Sequence, residues 1–147
     1  MARRRHGSSD ALVDELFDTA TEVRAFVEDR LRPLGASVAR LRALRMLALE
    51  DGPMRMRDLS EMLGIAARTA TAIVDGLERD GLVERVRHPE DRRAFLLVLT
   101  DAGRVHHQQA EGTDARALAD ATGKLDPQER EQLRMLLAKI RAAVAPE

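Results

Sequence analysis

AARTATAIVDGLERDGLVERVRHPEDRRAFLLVLTDAG, residues 66–103, changes period partway along. Over residues 66–80, Ala70, Ile73, Val74 and Leu77 recur at helical spacing and gather on one side of the helix. Arg68, Thr71, Ala72, Asp75 and Arg79 fall on the opposite side, with Thr69 at the flank. Gly81 then ends the helix. Two short runs follow, residues 82–87 and 94–99, and in the second Phe95, Leu97 and Leu99 share one face, which is strand spacing. Between them, His88-Pro89-Glu90-Asp91-Arg92-Arg93 is a polar segment that can turn a β-hairpin. Upstream, residues 57–63 (RDLSEML) suffice for about two helical turns, and Gly64 punctuates.

A short helix, a tight turn, a second helix and a hairpin make a winged helix-turn-helix. The arrangement has a steric logic. The second helix packs one face on the core and must offer the other to base edges in a major groove. Here the outward N-terminal half is small or hydrogen-bonding: Arg68, Thr69, Thr71 and Ala72. Asp75 is the outward acid in the middle. It can accept from a cytosine amino group or pair with Arg79 one turn away. Alone, such a helix is as well read as an ordinary amphipathic surface helix. The hairpin alters that reading. It carries Arg85 and Arg87 on its first strand and Arg92 and Arg93 at its tip, and arginines on a narrow wing can enter the negative minor groove. Asp91 is expected to hold one of those guanidiniums in place. A solvated polar turn is the plainer reading of the same residues.

Outward from this segment the chain is helical. Leu12, Leu16, Ala20, Val23, Val27 and Leu31 place a helix over residues 10–31, stopped by Pro33 and Gly35. A second helix covers residues 37–50, broken by Asp51-Gly52-Pro53. After the hairpin, Thr100-Asp101 opens a long helix to about residue 121. Pro127 sits at the first position of a last helix whose stripe is Leu133, Leu136, Leu137, Ile140 and Val144. Residues 1–9 (MARRRHGSS) lack periodicity and read as a disordered basic arm, either a solvated tail or a DNA-contacting one. The fold class is therefore mainly α (α+β), a winged helix-turn-helix with a two-stranded β wing between flanking helices.

Composition narrows the function. The chain has 147 residues, 23 of them alanine and 20 leucine, with a net charge of -1. That balance argues against coating nucleic acid through bulk positive charge, yet 22 of the 24 basic residues are arginine, the side chain suited to bidentate phosphate and base contacts. There is no tryptophan or tyrosine and only three phenylalanines, so single strands have no stacking platform. Without cysteine, disulfides, thiol catalysis and cysteine-based redox sensing are excluded. No apolar run reaches the roughly 20 residues of a membrane helix, and no apolar segment follows Arg3-Arg4-Arg5, so a cytoplasmic protein without a signal peptide or membrane partner is expected.

Catalysis finds no support: there is no phosphate-cradling glycine loop, no His-Glu-x-x-His and no nucleophile elbow. No cofactor is expected. His106 and His107 point to different sides of their helix. His107 and Glu111, one turn apart, could supply two metal ligands, though solvated helix polars are the plainer reading and no metal site is assigned. His88 reads as a neutral turn residue or a phosphate contact. Met46, Met54, Met56 and Met62 read as core packing, with a plastic pocket for an apolar ligand as the alternative.

The stretch 59–103 resembles the MarR (multiple antibiotic resistance regulator) family of bacterial transcription factors. The resemblance is carried by Asp91-x-Arg93-x-x-x-Leu97-x-Leu99-Thr100-x-x-Gly103, by Leu77-Glu78-Arg79-Asp80-Gly81-Leu82-Val83-Glu84-Arg85 before it, and by Leu63-Gly64-Ile65 at the turn. The flanking helices extend it over about residues 10–145. It implies one domain over residues 10–147, with dimerisation helices at about 10–35 and 104–147 and a DNA-binding lobe at about 36–103. It also implies a homodimer with recognition helix 66–80 in the major groove of a pseudo-palindromic double-stranded operator and wing 85–95 in the minor groove. Such a protein acts as a transcriptional regulator, a repressor, released by a small phenolic or anionic effector.

Carried over by position, Arg68, Thr69 and Thr71 read bases and phosphates, and Arg92 and Arg93 form the wing tip, with Arg93 holding the motif's arginine position. The chain departs from the family where the recognition helix starts: Ala66-Ala67-Arg68-Thr69 replaces the usual Ser-Arg-Ser-Thr, so the capping serine is absent at a cost of about 1 kcal/mol if nothing replaces it. Ala72 stands where a basic residue is common. Arg55 and Arg57 bring positive charge to the start of the short helix, where small hydroxyl residues are common. Arg55, Arg57, Arg68, Thr69, Thr71, Arg85, Arg87, Arg92 and Arg93 are therefore the expected DNA-binding residues, with a winged-helix module for protein contact as the alternative function.

Overall fold

The computed structural model describes residues 11–50 and 52–146; the expected basic arm, residues 1–9, lies outside them. Helix α1 (Ala11–Leu31) ends in a 3-10 turn (Arg32–Leu34), and α2 (Val38–Leu49) turns back across it. The start of α2 is held twice, Ser37 Oγ accepting from the Arg40 N–H and Glu28 Oε1 from the Val38 N–H, each at 3.1 Å. Next come β1 (Met54–Arg55), α3 (Met56–Leu63), α4 (Ala67–Arg79), β2 (Val83–Arg87), β3 (Phe95–Leu99), α5 (Asp101–Ala121) and α6 (Pro127–Val144).

The expected two-stranded wing forms from β2 and β3, and β1 adds a third strand to it. β3 is the middle of a three-stranded antiparallel sheet in the order β1-β3-β2, with Leu97 opposite Met54 on one side and Arg85 on the other. A two-residue strand has no periodicity to read. Its partner lies some forty residues away in the chain.

Two apolar cores meet at α2. Ala43, Leu44 and Leu47 of α2 pack with Leu59 and Leu63 of α3, Val74 and Leu77 of α4, and Leu97 and Leu99 of β3. Leu41, on another side of α2, packs with Val27 and Leu31 of α1 and with Ala110 and Ala117 of α5. Each fully buried leucine contributes roughly 1.5–3 kcal/mol, so α2 ties the winged lobe firmly to the α1–α5 pair. Gly64, at φ +64°, makes the left-handed turn between α3 and α4, and the Ile65 N–H closes it on the Ser60 carbonyl at 3.2 Å.

The start of α5 explains the motif that ends at Gly103. Thr100 Oγ1 accepts from the Gly103 N–H at 3.0 Å and donates to the Gly81 carbonyl at 2.7 Å. This draws the first turn of α5 onto the end of the α4–β2 connection so closely that a Cβ on Gly103 would lie 2.1 Å from the Leu82 carbonyl oxygen.

The last helix begins as expected, with Pro127 in its first turn, and Asp126 and Glu129 form a reciprocal capping box. Its apolar stripe, however, is not buried within the chain. No α6 residue is buried, and Leu133, Leu136, Leu137, Ile140 and Val144 are 42%, 57%, 39%, 40% and 75% exposed. On α1, Leu12 and Phe17 are likewise 67% and 50% exposed. No helix among the described residues is long and apolar enough to cross a membrane.

Candidate nucleic-acid interface

Helix α4 is amphipathic as its spacing predicts. Ala70, Val74 and Leu77 are buried and Ile73 is half-buried, while Arg68, Thr69, Thr71, Ala72, Asp75 and Arg79 are exposed. Its first residue rests on Ala66, which supplies no side-chain cap, as the missing serine implied. The first-turn N–H groups are therefore left for water or an anion. Thr71 donates its hydroxyl to the Ala67 carbonyl at 2.9 Å, leaving its oxygen lone pairs and methyl directed outward.

The wing loop is ordered by its own polar atoms. His88 Nδ1 accepts from the N–H groups of Glu90 and Asp91, each at 3.1 Å. The Ala94 N–H bonds the Asp91 carbonyl at 3.1 Å, and Asp91 Oδ1 accepts from the Arg93 N–H at 3.0 Å. Asp91 thus shapes the turn's backbone instead of clasping a guanidinium, the role expected for it. Arg92 and Arg93 are exposed at the tip. Arg87 is exposed too, and its guanidinium leans on the Phe95 ring, 5.9 Å from the centroid.

Arg85 departs from the expected role. It faces inward at 24% side-chain exposure, bonding Asp75 at 2.6 Å and Glu78 at 3.0 Å. Its hydrogen bond to Asp75, aided by the charge of both carboxylates, raises its pKa against the cost of burial. Asp75 therefore pairs with Arg85 and not with Arg79 (the partner its spacing suggested). Cross-element geometry prevails over helical spacing because two carboxylates one turn apart can bracket a planar guanidinium. The clamp fixes the base of the wing against the exposed face of α4.

At the other edge of the sheet, Arg55 on β1 and Arg57 at the start of α3 are exposed. Arg57 pairs with Glu61 at 3.0 Å, and since those side chains are 84% and 63% exposed the pair is weak and easily exchanged for another anion. Arg55 Nη2 stands 3.2 Å from His88 Nε2.

Two polar joints that the sequence reading missed connect this surface to the outer helices. Arg40 of α2 donates to the carbonyls of Gly35 and Gly76, at 3.1 and 3.3 Å, and pairs with Asp80 at the end of α4. Hydrogen bonding to Arg40 holds the Asp80 carboxyl below its ordinary range. Burial, then the Arg40 charge, lowers the pKa of the neighbouring His106, while Asp80 opposes them. In the second joint Arg45 grips Glu111 of α5 through two bonds of 2.6 and 3.0 Å, with Asp114 at 3.5 Å. The Arg45 hydrogen bond lowers the Glu111 pKa. His107 Nε2 lies 3.0 Å from Glu111 Oε1, but Arg45 already engages both oxygens of that carboxylate. Among the described residues no three His, Asp or Glu side chains converge on a metal position. Arg40 and Arg45 lie 40 to 69 residues from their carboxylate partners, a distance no local pattern signals.

Comparison with known proteins finds relatives of this geometry. The model of the MarR family matches residues 37–95, the segment from the start of α2 to the first residue of β3. The HTH-type transcriptional regulator YkoM of Bacillus subtilis is 32% identical over 97 residues, covering 66% of this chain and 63% of YkoM. The chain spans less than two thirds of the length of the curated relatives it matches first. Among solved structures, a probable transcriptional regulator from Pseudomonas aeruginosa superposes with a TM-score of 0.77 at 27% identity, over 89% of this chain and 97% of the other. A mutant E. coli MarR complexed with operator DNA shares the fold, with a TM-score of 0.77 at 23% identity over 88% of this chain and 92% of that one. The family model thus matches the helix-turn-helix and the wing as far as the first residue of β3, and the same fold is followed through the flanking helices, so over this segment the chain is similar to the MarR family.

Proposed function

We propose that this protein is a homodimeric, sequence-specific regulator that binds double-stranded DNA, with α4 in the major groove, wing residues 85–95 over the minor groove, and repression as its mode of action. The observation that carries the reading is the exposed face of α4: Arg68, Thr69, Thr71 and Ala72 form a small, donor-rich surface without an apolar or aromatic anchor. A protein-contact module would need such an anchor there. The exposed wing-tip arginines Arg92 and Arg93 extend the same surface, and Arg57 flanks it on α3. Arg85 joins this machinery by holding the wing in place.

The exposed stripes of α1 and α6 support dimerisation. They border a cleft of about 740 Å3 lined by Leu16, Val23, Leu118, Leu133, Leu136 and Ile140 among others, a shape that helices of a second copy would fill.

The test is fluorescence anisotropy with duplex DNA from immediately upstream of the protein's own gene, against a scrambled duplex, at two salt concentrations. The expected result is tight, salt-sensitive binding to the upstream duplex, weakened about tenfold by Arg93→Ala. Equal affinity for both duplexes, or no binding at low salt, would contradict the proposal.

A further inference from the structure

Three hydrogen-bond donors converge on one imidazole where the wing loop leaves β2. His88 receives the N–H groups of Glu90 and Asp91 on Nδ1, and the Arg55 guanidinium, which can only donate, faces Nε2 at 3.2 Å. A neutral imidazole has one lone pair and one N–H. With the lone pair on Nδ1 used by the turn, the proton sits on Nε2 and points at another donor. In the other tautomer, Nε2 accepts from Arg55 but Nδ1–H meets two backbone N–H groups. In either form the donors outnumber the acceptors, and the excess donor is open to an acceptor from outside the chain, water or an anion.

We propose that Arg55 and His88 together form a binding site for one phosphate group of the DNA backbone, in which an anionic oxygen accepts from both Arg55 Nη2 and His88 Nε2–H. The inference rests on the DNA-binding reading above and adds a site where the wing loop meets β1, separate from the tip arginines Arg92 and Arg93. Arg55 is exposed at the edge strand β1 and is also the residue from which α3 begins without a side-chain cap, so the partial positive charge of that helix end adds to the guanidinium. Asp58 in the first turn of α3 is the opposing charge. His88 plays two parts: Nδ1 sets the turn that presents Arg92 and Arg93, and Nε2 donates to the ligand. A free phosphate ion has the same chemistry as a backbone phosphate, but it gains nothing from the neighbouring recognition surface. The site is therefore assigned to the backbone.

The test uses the full chain and whichever duplex the wild type binds. Arg55→Gln keeps a donor but removes the charge. It is expected to weaken binding about tenfold and to reduce the slope of log affinity against log salt by about one. His88→Asn keeps an acceptor near the Nδ1 position and loses the Nε2 donor, so binding should weaken by several fold with the salt slope and the unfolding midpoint unchanged. Because both residues hold one phosphate, the double variant should bind only slightly worse than Arg55→Gln. Unchanged affinity and slope in Arg55→Gln, or strictly additive losses in the double variant, would overturn the shared site. The source of the phosphate is read from the His88 ring nitrogen resonances. They should shift on adding duplex in the wild type and not in Arg55→Gln, and saturation by inorganic phosphate below the concentration of DNA phosphates needed would overturn the backbone assignment. Wild type that binds no duplex would overturn the functional reading and this site together. Wild type that binds normally beside an unaffected Arg55→Gln would overturn this site alone.

Discussion

Replacing Leu136 by alanine tests whether the apolar stripes of α1 and α6 close against a second copy of the chain. Leu136 lies mid-helix, 57% exposed within one chain, and lines the cleft between α1, α5 and α6. Full burial of a leucine is worth roughly 1.5–3 kcal/mol, so covering the exposed half yields about 1 kcal/mol per side chain. Twofold symmetry counts the loss twice. The dimer should therefore weaken by about 2 kcal/mol, a rise of about thirtyfold in the dissociation constant. Sedimentation equilibrium over a range of protein concentrations measures it, and the unfolding midpoint should become more dependent on concentration. Leu49→Ala is the control, since Leu49 is 71% exposed at the end of α2, away from the cleft. If Leu136→Ala and Leu49→Ala leave the dissociation constant equally unchanged, or if wild type is monomeric at high concentration, the stripes are not the dimer surface.

Further perturbations test the packing and electrostatics. Gly103→Ala forces a Cβ to 2.1 Å from the Leu82 carbonyl oxygen, and overpacking against backbone should cost about 1–3 kcal/mol in chemical denaturation; an unchanged midpoint would show that α5 can shift freely. Arg85→Ala should weaken DNA binding with the salt slope preserved, because Arg85 is clamped by Asp75 and Glu78 and acts by positioning the wing; a slope reduced by about one would place it on a phosphate instead. His106 has its pKa lowered in the fold from an ordinary value of 6.5. The unfolded chain therefore takes up the proton first, and stability is full above that value and falls as pH drops below it. His106→Gln should abolish this first loss, leaving the loss at lower pH as Asp80 and Glu111, whose pKa values are held low by Arg40 and Arg45, become protonated. Identical pH profiles for wild type and His106→Gln would refute that account.

The elements that depend on local pattern are legible in the sequence. Ala70, Ile73, Val74 and Leu77 define the inner face of α4 because a buried helix face must repeat at the helical period. Thr100 and Pro127 mark helix starts because the orphan N–H groups there need a cap or a residue without one. Features set by contacts between elements are not legible. β1 is two residues long and exists only through its pairing with β3. Arg85 is one of several arginines on the hairpin, and only the placement of β2 beside α4 separates it from Arg87, Arg92 and Arg93 by giving it two carboxylates. Arg40 and Arg45 likewise look like ordinary helix polars until Asp80 and Glu111 arrive from distant elements. Position within a motif marks which arginines are candidates for DNA contact, while their partners within the fold show which are free to leave the surface and which are held.

The most direct test of the central claim is hydroxyl-radical and methylation footprinting of the upstream duplex, combined with the stoichiometry of the complex. A homodimer with α4 in successive major grooves predicts two protected major-groove patches about 10 base pairs apart, flanked by minor-groove protection from the wings, with two chains per site. A single protected patch bound by one chain, or protection that does not depend on sequence, would contradict it.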